Sequence, residues 1–296
     1  YQEGIHFSFV EERWEQELAG NNKPIRVLNP IASPLSVMRS SLIGSLVQAA
    51  RANLARKANR VRLFEIGRVF ARDASVPDSD TTVAGIHQPL RVAALALGPA
   101  DALQWGAPAR PVDFFDAKGD VESLLWPLRP VFEPAEHPAL HPGRCAAVML
   151  NGQVIGHVGE LHPRWKQAYE LPSAPVLFEL DLQAVLTRPV PQAQAVPRQQ
   201  AVWRDLALVA GDALPHDTLI QALERDPQRL VRSARLFDVY KPKAATTDVG
   251  AGERSLAIRL ELLDETATLT DDRIEASVAQ ALERAAAVGA RLRSAA

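Results

Sequence analysis

Some side chains in this chain have the type and spacing that site chemistry requires. His137, His141 and Cys145 recur every four residues; on one helix face that spacing would gather three zinc ligands, and a catalytic zinc needs no more. Pro138 and Pro142 break any such helix, so the spacing defines no site and no metal is expected. Asp113, Asp116, Asp120 and Glu122 are close enough to hold a cation. The same pattern also describes an acidic helix start capped by Asp113, which is the reading favoured; contact with a basic patch on a partner is the functional option. Cys145 heads an apolar stretch, where burial rather than nucleophilicity is expected. His162 reads as a turn residue. No catalytic residue is assigned.

The C-terminal third offers a different chemistry. Trp203, Phe237 and Tyr240 can stack on bases, while Arg204, Lys241, Lys243 and Arg254 can meet phosphates. Strict alternation through SARLFDVY sets Leu236, Asp238 and Tyr240 on one face and Arg235, Phe237 and Val239 on the other, so Phe237 and Tyr240 share a face only if the strand bulges. Phe237 is therefore expected in the core. The candidate RNA-contacting set is Trp203, Arg204, Tyr240, Lys241, Lys243 and Arg254. The loop KPKAATTDVGAGE is long for a hairpin connection and is expected to be mobile until RNA orders it.

These residues must be positioned by folded elements, and composition permits them. The chain has 296 residues, 47% of them hydrophobic and 23% charged, which suits about two domains of roughly 150 residues each. No apolar run approaches the roughly 20 residues of a membrane span. A net charge of −2, with 14 Lys/Arg against 15 Asp/Glu in residues 197–296, gives no global pull toward nucleic acid. Arg225, Arg229, Arg232, Arg235, Lys241 and Lys243 nevertheless gather at one end of that segment, where an ordinary solvated face is the plainer explanation. One cysteine and no secretory signal point to a reducing, cytoplasmic setting. Because Tyr1 stands in place of Met and YQEGIHFSF reads as strand, a piece of a longer polypeptide is expected.

From VWRDLALVA to the end, the pattern is strand, helix, two strands, helix and short strand, the βαββαβ order of the ferredoxin-like unit, which can leave one sheet face open to a partner. Upstream, Ser8 with Glu11 has capping-box spacing before Val10, Trp14 and Leu18. A longer helix is predicted from about 36 to 58, with Met38, Leu42, Leu46, Ala50 and Leu54 on its stripe. Strands follow at VRLFEIGRVF, RVAALALG, RCAAVML, QVIGHVGEL and PVLFELDL; Asn151-Gly152 is a strong hairpin signal, and DFFDAKGDVESLL reads as a helix. The fold expected is α+β: an antiparallel sheet with helices over residues 1–186, a linker at 187–200, and a ferredoxin-like domain at 201–296.

SPLSVMRSSLIGSLVQAARANLARKANRVRLFEIGRVF, DFFDAKGDVESLL, HPALHPGRCAAVMLNGQVIGHVGELHP and VLFELDL, followed by WRDLALVA, LFDVY and SLAIRLELLDETATLTDDRI, resemble in order the β subunit of bacterial phenylalanyl-tRNA synthetase. The resemblance implies a class II synthetase core-like domain without adenylation chemistry, docked on a catalytic α chain, then a ferredoxin-fold anticodon-binding domain that contacts tRNA. It implies an assembly of two α and two β chains that uses ATP and Mg2+ to charge tRNA with phenylalanine, with no cofactor in this part and neither membrane nor DNA as a partner. Adenylation needs arginines that grip triphosphate. Here only Arg72 follows the strand VRLFEIGRVF, no G-x-G-x-G-x-x-R segment occurs, and Arg39 is expected in a structural salt bridge. The rivals left open are a standalone RNA-binding or regulatory protein on a ferredoxin-like scaffold and an active ligase in its own right.

Overall fold

The computed structural model describes residues 1–190, 192–193 and 196–293; parts of the expected linker (191, 194 and 195) and the last three residues lie outside the described residues. The chain forms two compact units, Tyr1–Val190 and Pro191–Ala296. Among the described residues no helix is long and apolar enough to cross a membrane.

The first unit begins with β1 (Gln2–Glu3), β2 (Phe9–Val10), α1 (Glu12–Glu17), β3 (Val37–Met38) and α2 (Ile43–Ala55). Next come β4 (Val61–Arg68), the small ribbon of β5 (Ala71–Arg72) and β6 (Ile86–His87), β7 (Leu90–Leu97) and α3 (Phe114–Leu125). It ends with β8 (Val131–Pro134), β9 (Leu140–Leu150), β10 (Gln153–Leu161), α4 (Pro163–Ala168), β11 (Val176–Asp181) and α5 (Leu182–Leu186). Seven strands make one sheet in the order β1-β4-β7-β11-β10-β9-β8. Every pairing is antiparallel except β1 with β4. Alternation sorts the side chains into two cores. Ala93, Leu95, Leu97 and Leu177 pack under α2, whereas Val92, Ala94, Ala96 and Phe178 pack under α3 and α5. Burial on both faces of β7 explains why RVAALALG reads as a nearly continuous apolar run.

The structure corrects two helix expectations. α1 starts at Glu12 without a side-chain cap, and Ser8 instead offers its carbonyl to the Arg39 N–H. The predicted 36–58 helix is shorter, 43–55, and Met38 lies in β3 paired with Phe9. The start is displaced because the backbone before it is already bonded: Met38 N–H donates to Ile25 O, and Glu179 of β11 accepts from both Ser41 Oγ–H (2.6 Å) and Leu42 N–H (3.0 Å). That carboxylate caps α2 from another strand, at the positive end of the helix dipole.

Other local readings hold. Asp113 and Asp116 form a reciprocal capping box on α3. Asn151 and Gly152 take φ of 52° and 78° between β9 and β10, as a type I′ turn demands.

In the second unit, β12 (Val202–Gly211), α6 (His216–Glu224), β13 (Val231–Tyr240), β14 (Glu253–Leu262), α7 (Asp271–Ala287) and β15 (Ala290–Leu292) build one antiparallel sheet, order β13-β14-β12-β15. This is the ferredoxin-like order. Leu206, Leu208, Leu256, Ile258, Leu260 and Leu262 face the two helices, so the alternate positions form the other face.

Candidate nucleic-acid interface

The register of β12, β14 and β13 decides what that other face carries. Trp203 pairs with Glu261, Asp205 with Arg259 and Ala207 with Ala257; on the outer side Ser233 pairs with Glu261 and Arg235 with Arg259. The β13–β14 ladder then slips between Leu236 and Asp238. Leu236 stays opposite the buried Ile258, and beyond the bulge Tyr240 is opposite Ser255. The extra residue is Phe237, over whose ring Arg259 lies at 5.3 Å. Phe237 therefore shares the helix-free face with Arg259 and Tyr240, and the expectation that it is core is corrected. A bulge carries one more residue than its partner strand and so restores a face that strict alternation denies.

Trp203, Phe237 and Tyr240 are 54%, 54% and 44% exposed, so three rings are accessible on a sheet face crossed by arginines. Four of the cations here already have an anion. Arg259 makes two 2.7 Å hydrogen bonds to Asp205, whose carboxyl is held below its ordinary range by those bonds. Lys241 Nζ lies 2.7 Å from Asp212, Arg291 lies 2.8 Å from Glu253, and Arg293 lies 3.6 Å from Asp248 with its guanidinium over the Tyr240 ring. Arg291 also donates to Asp248 O.

These bonds anchor the 241–252 loop. Lys241 fixes its start, Arg291 of β15 and Arg293 just after it hold Asp248, and Val249 beside it is fully buried. The loop expected to be mobile is thus tied down at its start and at Asp248. Val209 and Ser255, central on this face, are buried in turn.

The candidate set divides accordingly. Trp203 and Tyr240 lie on the open face, Lys241 stands at its end, and Lys243 is exposed in the loop. Arg204 and Arg254 pair with Leu260 and Ala210, both helix-side positions. Arg204 is exposed where β12 begins, whereas Arg254 donates to Leu214 O (2.8 Å) and has its Nε buried without a partner. Phe237, Arg259, Arg291 and Arg293 were missed, since the bulge and the ion pairs leave no mark in local sequence.

The other sequence clusters have structural partners. Asp113 caps α3, Asp116 takes two hydrogen bonds from Arg110, Asp120 accepts from Tyr1 Oη–H, and Glu122 pairs with Lys118. His162 caps α4 through Nδ1. Cys145 is buried, which pushes its thiol up to about 11 and leaves it a poor nucleophile. His137 and His141 each accept a nearby backbone N–H at Nδ1, and among the described residues no group of three or more His, Cys, Asp or Glu could hold a metal. The arginines do not fit a triphosphate grip. Arg39 is buried against Glu65 (2.7 Å) and also donates to Arg68 O, while Arg72 is exposed on β5.

Comparison with known proteins adds two family matches. Residues 1–182 match the family described as "Phenylalanyl tRNA synthetase beta chain CLM domain", and residues 197–293 match "Ferredoxin-fold anticodon binding domain". The chain is 55% identical over 99% of its length to the phenylalanine–tRNA ligase β subunit of Ralstonia nicotianae, covering 37% of that protein. It is 52% identical over 94% of its length to the same subunit of Cupriavidus pinatubonensis, covering 35% of it. The chain thus spans a little over a third of the relatives it matches. A pyrrolysyl-tRNA synthetase structure from Desulfitobacterium hafniense aligns with 63% of this chain and 60% of its own at TM-score 0.42 and 12% identity, too slight a likeness to carry an argument.

Proposed function

We propose, since the chain belongs to the phenylalanyl-tRNA synthetase β-chain family, that it serves as the C-terminal part of that subunit: residues 1–186 dock on a catalytic α chain, 187–200 link, and 201–296 bind the anticodon region of tRNA. The assembled ligase, with two α and two β chains in the cytoplasm, would use ATP and Mg2+ at sites outside this part. A standalone RNA-binding protein is the weaker reading, because one family covers the first unit and a tRNA-binding family the second.

The observation that carries the RNA reading is the row of Trp203, Phe237 and Tyr240 on one sheet face with Arg259 and Arg293 over two of the rings. Bases stack on such rings, and guanidinium groups already lying over them can turn toward phosphate. Lys241 and Lys243 extend the path along the loop, and Arg204 lies on its flank. Arg254 is expected to support the fold rather than touch RNA.

The test is binding of phenylalanine tRNA to the full-length polypeptide in complex with its partner chain. Stacking contributes about 1–3 kcal/mol per base, so Trp203→Ala and Phe237→Ala should each weaken binding by roughly 5- to 150-fold. Unchanged affinity in both variants sinks the proposal.

A further inference from the structure

One row of the helix-free sheet face holds a carboxylate that stacking and phosphate contacts leave unused. Trp203, Glu261 and Ser233 stand opposite one another on β12, β14 and β13. Directly opposed residues on one face have Cβ atoms about 4.5–5.5 Å apart, so Glu261 is the immediate neighbour of the exposed Trp203. The β13–β14 ladder slips here as well, between Val231 and Ser233, which makes Arg232 the extra residue; it is exposed and has no ion pair among the described residues.

Glu261 is half-buried and differs from the acids near it. Asp205 gives both oxygens to Arg259, and Glu253 is held by Arg291 and the Gly250 N–H. Glu261 has no ion pair among the described residues. Its Oε2 accepts Ser233 Oγ–H at 2.9 Å, and its Oε1 has no hydrogen bond among them. The serine thus steadies the side chain across two strands and leaves one oxygen ready to accept. On a face covered by RNA a carboxylate repels phosphate. Its favourable contact is with an N–H on the edge of an unstacked base.

We propose that Glu261 reads the base that stacks on Trp203, accepting a hydrogen bond from its exocyclic amine, so that this position takes adenine, cytosine or guanine and rejects uracil. Uracil has one N–H on that edge, but it lies between two carbonyl oxygens that face the carboxylate with like partial charge, and a half-buried acceptor left unmatched is costly. Arg232, at the outer end of the row, is a cation free to meet the phosphate of the same nucleotide. The proposal rests on the RNA reading of this face and adds to it a residue that selects among bases.

The test uses the full-length polypeptide in complex with its partner chain and phenylalanine tRNAs in which each adenosine, cytidine or guanosine of the anticodon loop is changed in turn to uridine, with binding read by fluorescence anisotropy. At one position the change should weaken binding to the wild type roughly tenfold or more. Glu261→Gln should lose that penalty and keep the penalties elsewhere, because its amide offers N–H to a uracil carbonyl as readily as oxygen to an amine. Trp203→Ala should lose the penalty at the same position. Glu261→Gln keeps the side-chain volume and an oxygen for Ser233, so it should melt at the wild-type temperature. An identical pattern of penalties in the wild type and Glu261→Gln overturns the proposal, and so does a uniform gain in affinity with base preference unchanged, since the carboxylate would then act only by repelling phosphate. If Trp203→Ala and Phe237→Ala weaken binding while the pattern in Glu261→Gln stays as in the wild type, base selection by Glu261 falls and the RNA face stands.

Discussion

Arg39 Nη1 lies 2.7 Å from Glu65 Oε1, with both side chains almost wholly buried, and His6 Nδ1 lies 2.7 Å from the other carboxylate oxygen. Burial would raise the Glu65 carboxyl, but the His6 hydrogen bond and the Arg39 charge hold it below the ordinary range. A Cβ on Gly67 would meet Arg39 Nη2 at 2.3 Å, so the guanidinium occupies space that only glycine leaves open. The pair locks β3 to β4 beneath α2.

Removing Arg39 leaves the buried Glu65 charge with only the His6 ring as side-chain partner, and breaking a buried pair costs about 3–5 kcal/mol. Arg39→Met should therefore lower the urea midpoint sharply, and Arg39→Met/Glu65→Gln should recover much of the loss, since two neutral groups carry no unpaired charge. A double variant no more stable than the single would show that packing, not charge, sets the cost.

The acid side of stability should report His137. Its folded value of about 4 lies below the roughly 6.5 of an unfolded histidine, so between those values the unfolded chain binds a proton that the folded chain does not. Stability from this group is complete above about pH 6.5 and falls as pH drops toward about 4, by at most roughly 3 kcal/mol, less any relief from its partial exposure. Urea unfolding between pH 4 and 7 should show that slope in the wild type and a smaller one in His137→Asn. Equal slopes would assign the loss to other groups.

What was legible in the sequence follows from range. The hairpin at Asn151-Gly152, the Asp113 cap and the βαββαβ order rest on neighbours in the chain, and each stands where local chemistry put it. The start of α2 does not, because Glu179, far along the chain, bonds Leu42 N–H and decides it. Phe237 was misread for the same reason: the bulge is a property of the β13–β14 register, and two-residue alternation describes only an unbroken ladder. The ion pairs covering the RNA candidates join residues 29 to 54 positions apart where Lys241 meets Asp212 and Arg259 meets Asp205. No spacing rule reaches that far.

Loss of the α3 cap gives a smaller, local effect. Asp113 accepts from Phe115 N–H and Asp116 N–H, so Asp113→Ala should cost about 1 kcal/mol in chemical denaturation, and Asp113→Ser should restore most of it. If serine fails to rescue, the carboxylate matters through Arg110, 3.9 Å away, rather than as a cap.

Asp248 gives the sharpest test of how the sheet face meets RNA. Its side chain faces Arg293, its carbonyl accepts from Arg291, and Arg293 covers Tyr240. Phosphate must compete with this carboxylate for the Arg293 guanidinium, so Asp248→Asn should raise tRNA affinity by several-fold and steepen its fall with salt, because one more cation becomes available to phosphates. Lys241→Ala should act in the opposite sense, weakening binding and reducing the slope of log affinity against log salt by about 1. Because Lys241 pairs with Asp212 at 2.7 Å in the free chain, part of its contribution to RNA is offset by breaking that bond, and Asp212→Asn should recover it. Salt titrations of all three variants by fluorescence anisotropy decide the matter. If Asp248→Asn and Lys241→Ala both leave the slope unchanged, the phosphates pass elsewhere on this domain.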